Sequence, residues 1–163
     1  MTKLSHLDDT GSVRMVDVGK KSVTLRKAVA GGSIKMSNLA IAAISEARVK
    51  KGSVLETARI AGIMAAKRTA ELIPLCHSLP LDSIAIDMTV LPDRIETTAT
   101  AITHGKTGVE MEAMVAASTA LLTIYDMAKG VDREMVIDGV RLLEKSGGKS
   151  GDWARNEERK PNT

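Results

Sequence analysis

Apolar and polar residues alternate along some stretches of this chain and recur at helical spacing along others. Over 83–90, Ile84, Ile86, Met88 and Val90 point one way and Ala85, Asp87 and Thr89 the other, the pattern of a half-buried strand. Leu91-Pro92-Asp93-Arg94 supplies a turn with Pro at its second position, and the Thr-rich run 95–103 completes a hairpin. Residues 22–36 read as extended. Val23 and Leu25 share one face, Ile34 and Met36 share one face, and the parity changes across Gly31-Gly32, which predicts a bulge or bend there. A last strand is expected over 135–143. Ser37 is the expected N-cap of a helix carrying Leu39, Ile41 and Ile44, which ends near Lys50-Lys51 with Gly52 at C′. Ser53 and Glu56 have the spacing of a capping box for a second helix, running to about Leu72 and stopping before Pro74. In it Ala58, Gly62 and Ala66 recur every four residues, a smooth stripe that lets another backbone approach closely. The third helix, 109–129, is apolar on nearly every side between Met111 and Ile124, so burial on most sides is expected. The order strand, helix, helix, strand, strand, helix, strand predicts an α+β fold, a four-stranded antiparallel sheet with helices on one face. The expected organisation is a flexible N-terminal segment 1–20, a single domain over 21–151 and a polar tail 152–163.

Composition narrows the function classes. The chain has 163 residues, 44% hydrophobic and 26% charged, which excludes collagen-like and wholly disordered classes. Its only aromatic residues are Tyr125 and Trp153. The core therefore falls to Ala, Leu, Ile, Val and nine Met, and association between subunits is expected to add stability. The single cysteine, Cys76, excludes an intrachain disulfide framework and fits a reducing compartment. No apolar run approaches the ~20 residues of a membrane helix, and the first residues carry no signal-peptide core. The expected location is the cytoplasm, with no membrane partner. A net charge of +3 is too small to demand nucleic acid.

Five groups of residues invite chemistry. Gly105-Lys106-Thr107 follows a strand and precedes a helix, but a P-loop needs another Gly where Thr100 stands, so a helix-entry turn is the better reading. In Lys145-Ser146-Gly147-Gly148-Lys149-Ser150-Gly151, three glycines free the backbone and two lysines supply charge, as in a polyphosphate cradle or a solvated linker. Cys76 and His77 adjoin, yet the other histidines show no ligand spacing, so no metal site is expected and His77 suits hydrogen bonding or acid/base work. Glu110 and Glu112 open the apolar helix, as the helix dipole favours. Asp126 and Lys129 close it and share a face, as a surface ion pair or as an acid/base pair tuned by burial.

Several of these stretches together resemble the molybdenum cofactor biosynthesis protein C family, the cyclic pyranopterin monophosphate synthases. They are Ala58-Arg59-Ile60-Ala61-Gly62-Ile63, Ala65-Ala66-Lys67-Arg68-Thr69, Leu72-Ile73-Pro74-Leu75-Cys76-His77, Gly105 to Ala113, Leu122 to Met127 and Lys145 to Gly151, with Met15-Val16-Asp17-Val18 as an N-terminal signature. The likeness spans roughly 13–152. It implies a ferredoxin-like subunit in a homohexamer, a trimer of dimers with sites at subunit interfaces. The implied reaction converts 3′,8-cyclo-7,8-dihydroguanosine 5′-triphosphate to cyclic pyranopterin monophosphate and releases pyrophosphate, with no cofactor. By motif, Asp126 and Lys129 are the implied acid/base residues, and Lys51 is similar to an active-site lysine of the family. Leu75, Cys76, His77, Met111 and Glu112 are implied substrate contacts. Lys145 and Lys149, with Lys51, suit the triphosphate, and His77 suits proton transfer. The chain departs from the family pattern at Ser78, where Pro is usual, and at Ala128, where Cys is usual. A non-catalytic sensor binding nucleoside triphosphates is the alternative, since it needs the lysines but not Asp126 or Lys129. A purely structural oligomer accounts for the small-residue stripe alone.

Overall fold

The extended run that opens the domain forms β1 (Thr24–Lys35), the middle strand of the sheet in the computed structural model, which describes residues 11–156. The rest of the N-terminal segment 1–20 and of the polar tail 152–163 lies outside the described residues. Four helices follow or interleave, α1 (Asn38–Ser45), α2 (Val54–Ala66), α3 (Thr69–Leu72) and α4 (Glu110–Ala128). The other strands are β2 (Ser83–Val90), β3 (Arg94–Gly105), β4 (Val136–Ser146) and β5 (Trp153–Ala154). The sheet is antiparallel throughout, in the order β2-β3-β1-β4-β5, and its architecture is ferredoxin-like α+β. The expected four strands are thus joined by a fifth. It pairs Trp153 with Lys145 and Ala154 with Glu144, at the start of the expected tail. β4 also runs three residues beyond its expected end, because Lys145 and Ser146 pair with Ala28 and Lys27.

Alternation decides which face is covered. Ile34 opposite Ile95, Ala30 opposite Ala99 and Ala28 opposite Ala101 are all buried under the helices. Val23 and Leu25 lie on the other, open face and stay largely exposed. The parity change read at Gly31-Gly32 reflects this change of face, because β1 pairs with β3 without a slip. The bulges lie on the other side, in β4, which carries the extra residue at both register shifts against β1. Val140 and Leu143 of that bulged stretch pack over Gly32 and Gly31, where an added Cβ would meet them at 2.9 Å.

Helix ends depart from expectation where side chains fail to cap. Ser37 does cap α1, accepting from the amide of Ala40 at 3.3 Å. Yet α1 stops well before Gly52. Ala47 takes a left-handed φ of 52°, the amide of Arg48 reaches the carbonyl of Ala43 at 2.9 Å, and that of Ala47 reaches Ile44 at 3.2 Å. This is a Schellman ending with Ala in the place Gly prefers. The capping box is not formed either. The Ser53 side chain makes no cap bond, and Glu56 pairs with Arg59 at 3.6 Å. The expected single helix to Leu72 breaks at Lys67-Arg68, where the Thr69 hydroxyl takes the carbonyl of Ala66 at 3.0 Å. The small-residue stripe is filled from within the chain. Ala58, Gly62 and Ala66 are buried, and a Cβ on Gly62 would strike Ile86 Cδ1 and sit 2.8 Å from the carbonyl of Ala116 on α4. The backbone that approaches this stripe closely is therefore that of α4 in the same chain.

Candidate active site

The two ends of α4 carry two separate groups of polar residues. At its N-terminal end, the Gly105-to-Gly108 turn enters the helix beside the segment that follows α3. A cavity of about 320 Å³ opens here, lined by Leu75, Cys76, His77, Met111 and Glu112, with Val16 and Val18 of the N-terminal segment as a further wall. Glu112 is only 4% exposed. Burial first, and the neighbouring charge of Glu110 second, push its carboxyl above the ordinary range. Burial, followed by the charge of Glu112, likewise pushes the Cys76 thiol up, which disfavours the thiolate.

A second cavity of about 200 Å³ adjoins the first and shares Lys21, Thr107, Gly108 and Glu110 with it. Its other walls include Arg26, Lys27, Lys106 and Lys145. Glu110 stands between the two, 3.5 Å from Lys145 Nζ. The Gly-rich loop closes this region. Lys145 Nζ donates to Ser150 Oγ at 2.7 Å, and the amide of Gly147 donates to Asp152 Oδ1 at 3.1 Å. Gly147 has φ +89°, and a Cβ there would strike the carbonyl of Leu25, so no other residue fits. Lys149 lines a neighbouring basic cavity of about 740 Å³ with Lys20, Lys21 and Arg26.

At the far end of α4, Asp126 holds two lysines. Oδ2 is 2.8 Å from Lys51 Nζ and Oδ1 is 2.7 Å from Lys129 Nζ, while Lys51 also donates to the Asp126 carbonyl at 2.9 Å. Hydrogen bonds from Lys129 and then Lys51 hold the Asp126 carboxyl down to about 2. The sequence reading allowed burial of Lys129, but its side chain is 51% exposed. Among the described residues, no group of three or more His, Cys, Asp or Glu is placed to hold a metal ion, and no helix is long and apolar enough to cross a membrane.

The cavity with the buried acid thus adjoins the one ringed by cations. The model of the MoaC family matches residues 15–148. This chain belongs to the MoaC family. It is 57% identical over 153 residues to the cyclic pyranopterin monophosphate synthase of Novosphingobium aromaticivorans, which covers 94% of this chain and 98% of that one. It is 55% identical over 156 residues to the protein of that name from Brucella ovis, over 93% of each chain. The protein of that name from Chloroflexus aggregans is 55% identical over 157 residues, over 95% of each.

Within this MoaC-family subunit, Leu75, Cys76, His77, Met111 and Glu112 share one cavity, with Lys145 in the next and Lys149 in the third. Lys51, Asp126 and Lys129 meet one another but not that group. Glu112 and Asp126 are fourteen residues apart on an unbroken helix, a separation of about 21 Å. Lys21 and Arg26 carry no sequence signal as site residues, while Lys106 reads as part of a helix-entry turn and Glu110 as a partner of the helix dipole. Each sits in a segment with a sufficient bland account, and only the fold turns them towards a common space. Ser78 is exposed and leaves His77 on the cavity wall, and Ala128, the last residue of α4, is fully buried.

Proposed function

We propose that this chain is a cyclic pyranopterin monophosphate synthase of molybdenum cofactor biosynthesis. Its substrate is 3′,8-cyclo-7,8-dihydroguanosine 5′-triphosphate and its second product is pyrophosphate, which makes it a lyase. The observation that carries this reading is the wall shared by the cavity of His77, Met111 and Glu112 and the cation-lined cavity of Arg26, Lys106 and Lys145. A mixed apolar and polar pocket suits the purine-derived rings. The adjoining cations suit the triphosphate, and Lys149 extends them. Opening the imidazole-derived ring is proton-transfer work for His77 and the Asp126–Lys129 pair. Closing the cyclic phosphate expels pyrophosphate, whose developing charge lysines stabilise.

The same reading places each site between two chains. An unbroken α4 keeps Glu112 from Asp126 within one subunit. An antiparallel partner, related by a two-fold axis near the middle of α4, brings the start of one helix to the end of the other. The outward face of α4 presents Val115, Ser118 and Leu122, with Leu122 59% exposed. An apolar face of this kind calls for a cover. Three such dimers make the hexamer, and the enzyme works in the cytoplasm. The non-catalytic sensor leaves Asp126 and Lys129 without a task.

A coupled assay for pterin product and pyrophosphate tests the reading. Lys129→Ala removes turnover while nucleotide binding stays within roughly tenfold, because the lost interaction belongs to the transition state. Lys129→Arg stays inactive, since Arg does not release its proton. Saturable triphosphate binding by the wild-type chain without turnover would restore the sensor.

A further inference from the structure

One wall of the cavity that holds His77 and Glu112 is not part of the sheet or the helices. Val16, Val18 and Lys21 line it from the N-terminal segment. Two side chains tie this strap down. His77 Nε2 lies 2.8 Å from the carbonyl of Val16, and Lys106 Nζ donates to the carbonyl of Gly19 at 2.7 Å. The strap also braces itself. Asp17 Oδ1 accepts the amide of Gly19 at 2.7 Å, and the carbonyl of Val18 accepts the amide of Lys21 at 3.0 Å.

A carbonyl oxygen only accepts, so the ring nitrogen that meets it carries the hydrogen. Neutral imidazole has one such hydrogen, and with it on Nε2 the lone pair stays on Nδ1. We propose that the Val16 carbonyl locks His77 as the Nε2–H tautomer, so that Nδ1 is the proton acceptor of the site and Lys106 is the positioning residue that keeps the strap in place. The inference rests on the reading of His77 as a residue of a pterin-forming site. The step balances: a proton passes from a ring N–H of the substrate to Nδ1, and its electron pair stays on the substrate nitrogen. The imidazolium keeps Nε2–H donated to Val16, with the negative end of the carbonyl dipole towards the new charge. The logic is that of the carboxylate behind the histidine in a serine-protease triad, where the orienting group sets the tautomer without taking the proton.

The test is nuclear magnetic resonance of the full-length protein with ¹⁵N-labelled histidine rings, the His77 signals being identified by their loss in His77→Gln. The neutral ring in the wild type shows hydrogen on Nε2. In Lys106→Met the strap is loosened, both tautomers appear, and kcat falls by about tenfold or more, within the range that a positioned acid or base contributes. Lys106→Arg, which still donates to Gly19, restores the single tautomer and most of kcat. Hydrogen on Nδ1, or an even mixture in the wild type, overturns the proposal. An unchanged tautomer in Lys106→Met overturns the role of Lys106. If the tautomer is fixed as stated and His77→Gln still turns over normally, the base role falls, and the fault lies with the reading of His77 as catalytic.

Discussion

Asp126 shows how much one carboxylate can organise on a surface. Both of its oxygens hold an ammonium, and its carboxyl is depressed to about 2. The sign follows directly: the pairing is complete above the ordinary carboxylate value of 3.8 and is lost as pH falls through about 2. An acid limb in the activity profile well above that window therefore belongs to another group. Carbon-detected titration of Asp126 in the full chain is expected to give a midpoint of about 2, and a midpoint at the ordinary value would remove the two-lysine picture. Exposed pairs add little to stability, so Asp126→Asn leaves the thermal midpoint nearly unchanged while turnover collapses. Half of this arrangement was legible in the sequence, because a three-residue spacing puts Asp126 and Lys129 on one helix face. Lys51 comes from far along the chain, and only a resemblance could have brought it in. Lys21, Arg26 and Lys106 were illegible for the same reason. They belong to a strap, a strand and a turn that meet only in three dimensions.

Strands were more legible than helix ends. The hairpin β2–β3 falls where alternation and a Pro turn put it, because both signals are local. The end of α1 did not, because the left-handed position went to Ala47 and no propensity scale selects Ala there. That makes Ala47→Gly informative. Relief of an unfavourable φ, worth ~1–2 kcal/mol, outweighs the added entropy of the unfolded chain, ~0.4–1 kcal/mol. Chemical denaturation should show a gain of roughly 0.5 kcal/mol, and a loss would mean that the backbone is not left-handed there. Gly62→Ala goes the other way. The substitution improves helix propensity by about 1 kcal/mol, yet the methyl collides with Ile86 and crowds the carbonyl of Ala116. Overpacking of this sort costs ~1–3 kcal/mol. A net loss of about 1 kcal/mol is expected in urea unfolding, and a stabilised variant would contradict the α2–α4 contact. The stripe itself was legible in the sequence, but its occupant was not, since small residues every four positions do not say whose backbone they receive.

At the scale of the whole molecule, the proposed site divides into two halves held at opposite ends of the unbroken α4. Glu112→Ala and Asp126→Ala enzymes, each nearly inactive, are to be unfolded together and refolded as a mixture. Half of the random dimers are mixed, and each mixed dimer has one intact site, so about a quarter of wild-type activity returns. Activity that stays at the level of the single variants, with mixed assembly verified by tags, rules out the shared site. The division also limits what sequence can show, since patterning specifies which face of a helix is buried but not which copy of the chain a distant end will meet.

The unbroken course of α4 then acquires a second meaning, that of a measuring rod. In the proposed dimer its length sets the distance between the half-sites, as a gauge block sets a gap. Insertion of four residues near its middle keeps a helical repeat almost in phase, turning the far end by only about 40° but displacing it by ~6 Å. Burial and folding can survive such a change, and registration between partners cannot. In the proposed symmetric pair the rod is counted twice, so one such error misaligns both sites together. A lineage can therefore revise the loops around this helix far more freely than its number of turns.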